Sequence, residues 1–355
     1  MKIFFQLIFA FILVFFFQLP LISQSGGDNT YDFLSITNSA RVASLGGQVV
    51  SLKDDDLNLV YHNPSLLTPA MSSQLALNYI NYFAGTNFGY VGYAWQPKKK
   101  YTLATGLHYL NYGEFIAAEP TGIQTGTFRA DDYALNTYWS RPLADSNWRV
   151  GATAKAIYSQ YESYNSFGLA IDAGITYSNE VKLFSAALVM KNAGFQLKRY
   201  NPNDKHEPLP FEIQLGLTQQ LRHAPFRFSF TAHQLQQFNL LYKTEKDKEE
   251  EIDPLTGEPI PETPGADFAD NLMRHLIFGL EFTPSKNFYI SLGYNYKRRQ
   301  ELKIDDMAGM AGFSYGFGLK IKKLGISYGR STYHLAGASN HFSVTLNLSE
   351  LNQKL

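Results

Sequence analysis

Apolar and polar residues alternate strictly along the last extended run of the chain, Phe342-Ser-Val344-Thr-Leu346-Asn-Leu348-Ser. The same alternation marks Phe226-Arg-Phe228-Ser-Phe230-Thr and Phe211-Glu-Ile213-Gln-Leu215-Gly-Leu217-Thr. It sets Phe288, Ile290, Leu292, Tyr294 and Tyr296 against Tyr289, Ser291, Gly293, Asn295 and Lys297. A period of two gives a strand one apolar and one polar face. Fourteen strands are predicted, near 74–83, 87–96, 101–112, 132–141, 148–160, 167–178, 182–192, 210–221, 226–236, 275–283, 288–299, 311–321, 324–334 and 340–349. Most have ten to twelve residues, the length that a tilted strand needs to cross a bilayer.

The connections give an independent test, because membrane barrels alternate short turns on one side with longer loops on the other. Every second connection is tight: Pro97-Lys98-Lys99-Lys100, Ala144-Asp145-Ser146-Asn147, Asn179-Glu180-Val181, His223-Ala224-Pro225, Pro284-Ser285-Lys286-Asn287 and Lys322-Lys323. All the long ones, 113–131, 193–209, 237–274 and 300–310, fall in the other set. One strand shows the two faces well. Arg149, Gly151, Thr153, Lys155 and Ser159 oppose Val150, Ala152, Ala154, Ala156 and Tyr158. Charge is costly against lipid, so Arg149 and Lys155 are placed in the lumen, and inner faces are expected to be polar. A soluble two-sheet sandwich would share the alternation, but tight turns confined to one side favour the barrel.

Composition sharpens this picture. Of 355 residues only 17% are charged and 15% are aromatic, with 23 Tyr and 27 Phe. The formal net charge is zero, which gives nucleic acid nothing to bind. Met1-Lys2, an apolar run from Ile3 to Ile22 and then Ser23-Gln24-Ser25-Gly26-Gly27 read as a cleavable signal peptide. An uncleaved anchor of the same length is the alternative. The expected location is the outer membrane. There is no cysteine, which excludes thiol catalysis and thiolate metal sites.

The expected class is all-β: a transmembrane antiparallel β-barrel of about 14 strands with an N-terminal plug inside the lumen. The expected division is a signal peptide over 1–24, a plug over 25–72, and a barrel over 73–355 that carries the long outer loop 237–274. The plug segment is too irregular to span and too long for a tail. It predicts a short helix near 37–44, with Asn38 or Ser39 capping it and Gly46-Gly47 closing it.

Candidate chemistry is sparse. From Lys243 to Asp270 the outer loop carries ten acids and three lysines, with Glu249, Glu250, Glu251 and Asp253 at its centre. Such a stretch buries little by itself; it is either a solvated loop or a docking loop, and it could bridge to lipopolysaccharide through divalent ions. The run Asp253-Pro254-Leu255-Thr256-Gly257-Glu258 lacks the alternating oxygen ligands of a calcium loop. Phe195, Lys198, Arg199 and Tyr200 belong to a second outer loop that joins aromatic and basic groups; it is either an ordinary rim loop or a contact for a protein or an anionic sugar. His334 with Ser339 or Ser331 is no more than a chance pair, and no hydrolase elbow, zinc motif or phosphate loop occurs. Neither an enzyme nor a cofactor or metal site is expected.

The plug residues carry a family resemblance. Ala40-Arg41, Leu45-Gly46-Gly47, Asp54-Asp55-Asp56 and Asn63-Pro64-Ser65-Leu66-Leu67 resemble the hatch of fatty-acid-transporter-like outer-membrane barrels, with Ser65 and Leu66 where those have Ala and Gly. Within that superfamily, Thr30-Tyr31-Asp32-Phe33-Leu34 followed by Asn38-Ser39-Ala40-Arg41-Val42-Ala43-Ser44-Leu45-Gly46-Gly47 is similar to the PorQ family of type IX secretion barrels of Bacteroidetes. The resemblance implies a non-catalytic member of the surface attachment complex. Such a barrel would hold a PorZ-like surface protein through its outer loops, beside a sortase and its partner barrel PorV. The alternative is a transporter for small hydrophobic molecules.

Overall fold

The computed structural model describes residues 29–82, 85–144, 147–241, 265–302, 309–334 and 337–349. Fourteen strands close into one antiparallel barrel. They are β1 (Gln74–Asn81), β2 (Asn87–Lys98), β3 (Tyr101–Ala118), β4 (Gln124–Pro142), β5 (Trp148–Tyr161), β6 (Tyr164–Asn179), β7 (Phe184–Lys198), β8 (Glu212–Gln220), β9 (Phe226–Ala232), β10 (Leu276–Ser285), β11 (Phe288–Asn295), β12 (Phe313–Ile321), β13 (Leu324–His334) and β14 (Gly337–Asn347). Each pairs with its neighbour in sequence, and β1 pairs with β14 from Gln74↔Asn347 to Asn81↔Asn340. Closure gives every strand a partner on both sides, which backbone groups need where no water can reach them.

The alternation sorts the residues by face. Leu77, Leu135, Ile171, Leu188, Leu292 and Phe317 point outward at 42–55% exposure, although each is large and apolar. A continuous apolar exterior around a closed barrel is a lipid-facing surface. All three tryptophans, Trp95, Trp139 and Trp148, lie near the end with the tight turns. There Tyr93 stacks on Trp95 and Trp148 meets Tyr177 with centroids 5.0 Å apart. Such rings suit the membrane–water boundary. Among the described residues, no helix is long and apolar enough to cross a membrane.

Four sequence expectations change. The stretch 113–131, expected as a loop, continues the β3–β4 hairpin, with Glu114↔Arg129, Phe115↔Phe128 and Ile116↔Thr127 paired. Its alternation was hidden by Gly113, whose φ of 90° marks an irregularity between Asn111 and Glu114. The strand expected over 288–299 stops at Asn295, and a helix covers Tyr296–Leu302. Lys297-Arg298-Arg299-Gln300-Glu301 are strong helix formers, and Asn295 Oδ1 accepts the Arg298 amide at 2.9 Å. The far end of the 237–274 loop is also helical, over Ala266–Arg274, and Tyr296 donates to Asp270 at 2.6 Å to join the two helices.

The fourth change concerns the lumen. Inner faces are polar around most of the wall, but β1 to β5 turn Ile80, Phe88, Tyr90, Leu110, Tyr138 and Ile157 inward. These residues pack on Tyr31, Phe33, Leu34, Leu57, Val60 and Leu67 of the segment that precedes β1. Inward apolar residues are satisfied here because polypeptide, not water, lies against them.

Candidate functional site: the segment inside the barrel and its two mouths

Residues 29–73 run through the lumen from one mouth to the other. At the mouth with the long connections, Thr30 N donates to Pro208 O at 2.9 Å, and Tyr31 Oη meets Ser166 Oγ on β6 at 2.5 Å. At the mouth with the tight turns, the segment leads into β1. A short helix, α1 (Ala40–Ser44), lies between. Ser39 stands at its N-cap without a side-chain cap bond, and the expected self-capping is replaced by the wall: Ala40 N donates to Ser343 Oγ on β14 at 2.9 Å. Asn38 instead bonds His62, 3.1 Å away. The C-terminal end of α1 is handled likewise. Ser331 Oγ donates to Ala43 O and Ser314 Oγ to Ser44 O, at 2.9 and 3.0 Å. These serines satisfy carbonyls that a helix end otherwise leaves orphaned. Gly46 and Gly47 then turn the chain at φ of 95° and 97°, a region that other residues rarely adopt.

Glycines in the wall let this backbone come close. Gly279 pairs with Gly293 and Gly316 with Gly329, on four consecutive strands. A methyl group on Gly293 would collide with the Gly46 amide, and one on Gly329 with the Ala40 carbonyl. Across the lumen, paired Gly151 and Gly174 make room for Pro64, Ser65 and Asn63. Asn63 caps the turn Pro64–Leu66 by accepting Ser65 N at 2.9 Å. Its Nδ2 donates to Val50 O at 2.7 Å and Thr176 Oγ1 at 2.9 Å. One side chain thus fixes its own turn, a distant part of the segment and β6.

Arg41 is the electrostatic centre. It is 5% exposed and donates through Nε to Glu281 on β10 at 2.9 Å and through Nη2 to Asp54 at 2.8 Å. Asp56 lies 3.7 Å away and the Tyr289 ring centroid 4.5 Å. Arg227 on β9 completes the network, 2.7 Å from Glu281 and 3.4 Å from Asp54. Asp55 faces out into a cavity of 830 Å³ at the tight-turn mouth, which Lys53, Glu180, Lys286 and Lys320 also line. Burial pushes the Asp54 carboxyl up, but the Arg41 and Arg227 guanidiniums outweigh it and hold it well below the usual carboxylate range. Burial raises Asp56.

The signs fix a pH dependence. A depressed carboxyl contributes stability above its unfolded value, about 3.9, and loses it only as pH falls through the lower folded value. The raised Asp56 is relieved, not strained, by acid. The barrel is therefore expected to stay closed from about pH 7 to pH 4. Bilayer conductance recorded across that range checks this, and opening near pH 6 would contradict the ion-pair account.

Further along the lumen, Lys155 and Asp172 form a fully enclosed pair at 2.8 Å, and Arg149 donates to Leu67 O at 3.2 Å. Both basic residues thus lie on the inner face, as their alternation predicts. Ser339 meets His341 at 2.8 Å, and both are fully buried.

Arg41 and Asp54 are brought together. Gly46 lies beside β11 and Gly47 beside Arg298, whereas Asn63 and Pro64 sit under β5 and β6, so these parts of the motif are holdfasts separate from the cavity that Arg41, Asp54 and Asp55 line. At the other mouth, β7 runs on to Lys198 where a loop from 193 was expected, so Phe195 points outward from a paired strand at 59% exposure, while Tyr200 stacks on Tyr161 at 5.2 Å and donates to Ser159 at 2.6 Å. Lys198 and Arg199 lie on the rim beside it. Glu249, Glu250, Glu251 and Asp253 fall outside the described residues. Sequence reasoning missed Glu281 and Arg227. Their signal was available: each is a charge at an inward position of an otherwise alternating strand.

No family model matches the chain, and no curated protein does. Among solved structures, it is similar to the CymD monoaromatic hydrocarbon channel, at 11% identity over 88% of this chain and 97% of that one, with a TM-score of 0.49. It is similar to a Pseudomonas aeruginosa FadL homologue, at 10% identity over 88% and 98%, with a TM-score of 0.48. The toluene transporter TodX of Pseudomonas putida gives 13% identity over 86% and 95%, with a TM-score of 0.46.

Proposed function

We propose that this chain is an outer-membrane barrel, plugged by residues 29–73, that anchors a surface protein in a type IX secretion attachment complex. The partner is a PorZ-like protein gripped by the long connections. The observation that carries this reading is the filled lumen: Leu34, Val42, Leu52, Leu59 and Leu67 of the plug are all fully buried. A plug tied to the wall by serine caps, an asparagine and an arginine network suits a rigid platform. The outer rim is then the surface left for work.

Transport of small hydrophobic molecules is the second reading, and one observation favours it. The apolar half of the lumen on β1 to β5 would become a greasy wall if the plug moved. Hydrocarbon channels and a FadL homologue are among the solved barrels to which the chain is similar.

A pull-down in mild detergent, with a tag at the C-terminus, separates the two. The anchor reading expects a stoichiometric surface protein, lost when 243–264 is deleted. The deletion should stop there, because Asp270 on the adjoining helix holds Tyr296. The barrel should stay folded, since outer loops tolerate change. A barrel recovered alone with a bound apolar ligand would establish transport instead.

A further inference from the structure

On the rim of the long-connection mouth, Ser163, Tyr164, Asn165, Leu197, Lys198, Arg199, Tyr200 and Pro202 enclose a recess of 370 Å³. Lys198 donates to the Asn165 side chain and Arg199 to the Asp204 backbone carbonyl. Neither cation has a carboxylate within ion-pairing distance among the described residues. This contrasts with Arg41, Arg227 and Lys155, each of which does. The recess is also continuous with the lipid-facing wall: Phe195 and Leu197 on β7, and Leu169 and Ile171 on β6, point outward at 59%, 48%, 40% and 55% exposure. Tyr164, 53% exposed, stands at the boundary.

We propose that this recess binds the phosphate of an outer-leaflet glycolipid. Two cations with no carboxylate partner among the described residues, above an apolar wall, match a headgroup phosphate above acyl chains. Arg199 keeps guanidinium donors free for a bidentate contact to phosphate oxygens, and the lysine adds a point charge. Tyr164 offers an aromatic face to the sugar carrying the phosphate. A surface partner protein would need no apolar strand face directly beneath its contact, whereas a lipid does. The site stands whether the barrel anchors or transports.

The test uses the full-length mature barrel in nanodiscs containing bis-phosphorylated lipid A, with bound lipid counted by native mass spectrometry. Lys198→Gln combined with Arg199→Gln is expected to lower lipid A occupancy by about tenfold or more. Lys98→Gln with Lys100→Gln, at the opposite mouth, is expected to change nothing. Heat-modifiable migration on gels confirms that each variant is folded. Dephosphorylated lipid A should bind the parent as poorly as the double variant binds lipid A. Equal retention by the double variant, or equal binding of the dephosphorylated lipid, overturns the proposal.

Discussion

Replacing Arg41 with methionine should open the barrel to ions. Arg41 is the charged side chain that joins the plug both to itself and to the wall, through Asp54 and Glu281. Methionine keeps length and apolar bulk but leaves Glu281 buried, with Asp54 and Asp56 nearby and only Arg227 to balance them. Removing one partner from a buried pair costs about 3–5 kcal/mol, most of it from the charge left behind. Because Arg227 remains, the lower end, about 3 kcal/mol, is expected. That is enough to shift the plug by roughly a hundredfold between held and released states. Conductance in planar bilayers reads the effect, while barrel melting should hardly move. Adding Glu281→Gln should restore much of the closure, because it removes the stranded charge. A silent, stable Arg41→Met barrel would show that the network is not what holds the plug.

Gly329→Ala together with Gly293→Ala should dislodge α1. Both positions have ordinary strand backbone, so alanine suits the strand itself. What it does not suit is the plug, since the new methyls meet the Ala40 carbonyl and the Gly46 amide. Overpacking of this kind costs about 1–3 kcal/mol per site, and backbone atoms have less freedom to yield than side chains. Gly89→Ala is the control, because nothing lies within 4 Å of its added carbon. The chain has no cysteine, so Val42→Cys, at a fully buried position, supplies one clean reporter. Its labelling by a maleimide should speed up about tenfold or more in the double variant and not in the control. Unchanged labelling would mean that α1 has another seat.

The barrel was legible because its signal is repeated in every strand. Fourteen predicted runs became fourteen strands, and the parity of tight turns survived. The errors were local and physical. Gly113 broke an alternation that Phe115 and Phe128 resume across the hairpin, where their rings stack at 5.2 Å. Tyr296 continued the strand pattern of β11, yet the basic run after it preferred helix. The inner faces of β1 to β5 could not be read as apolar, because their complement is the irregular 31–67 stretch, which has no period. Gly46, Gly47 and Asn63 could be picked from the segment by type. The wall glycines that receive them resembled ordinary strand glycines until the pairing placed them side by side.

The course of the plug has a consequence for how the molecule is assembled. Its chain lies at the outer mouth at Thr30 and continues directly into β1 at the opposite end, so the filling and the first stave are one polypeptide. Threading the segment through a finished ring would drag the charged Asp32 past an apolar half-lumen. Enclosing it as β1 meets β14 avoids that passage. The seam should therefore zip last, around a segment already seated, and the eight residue pairs between those strands mark where a slow closing step of barrel biogenesis would be found.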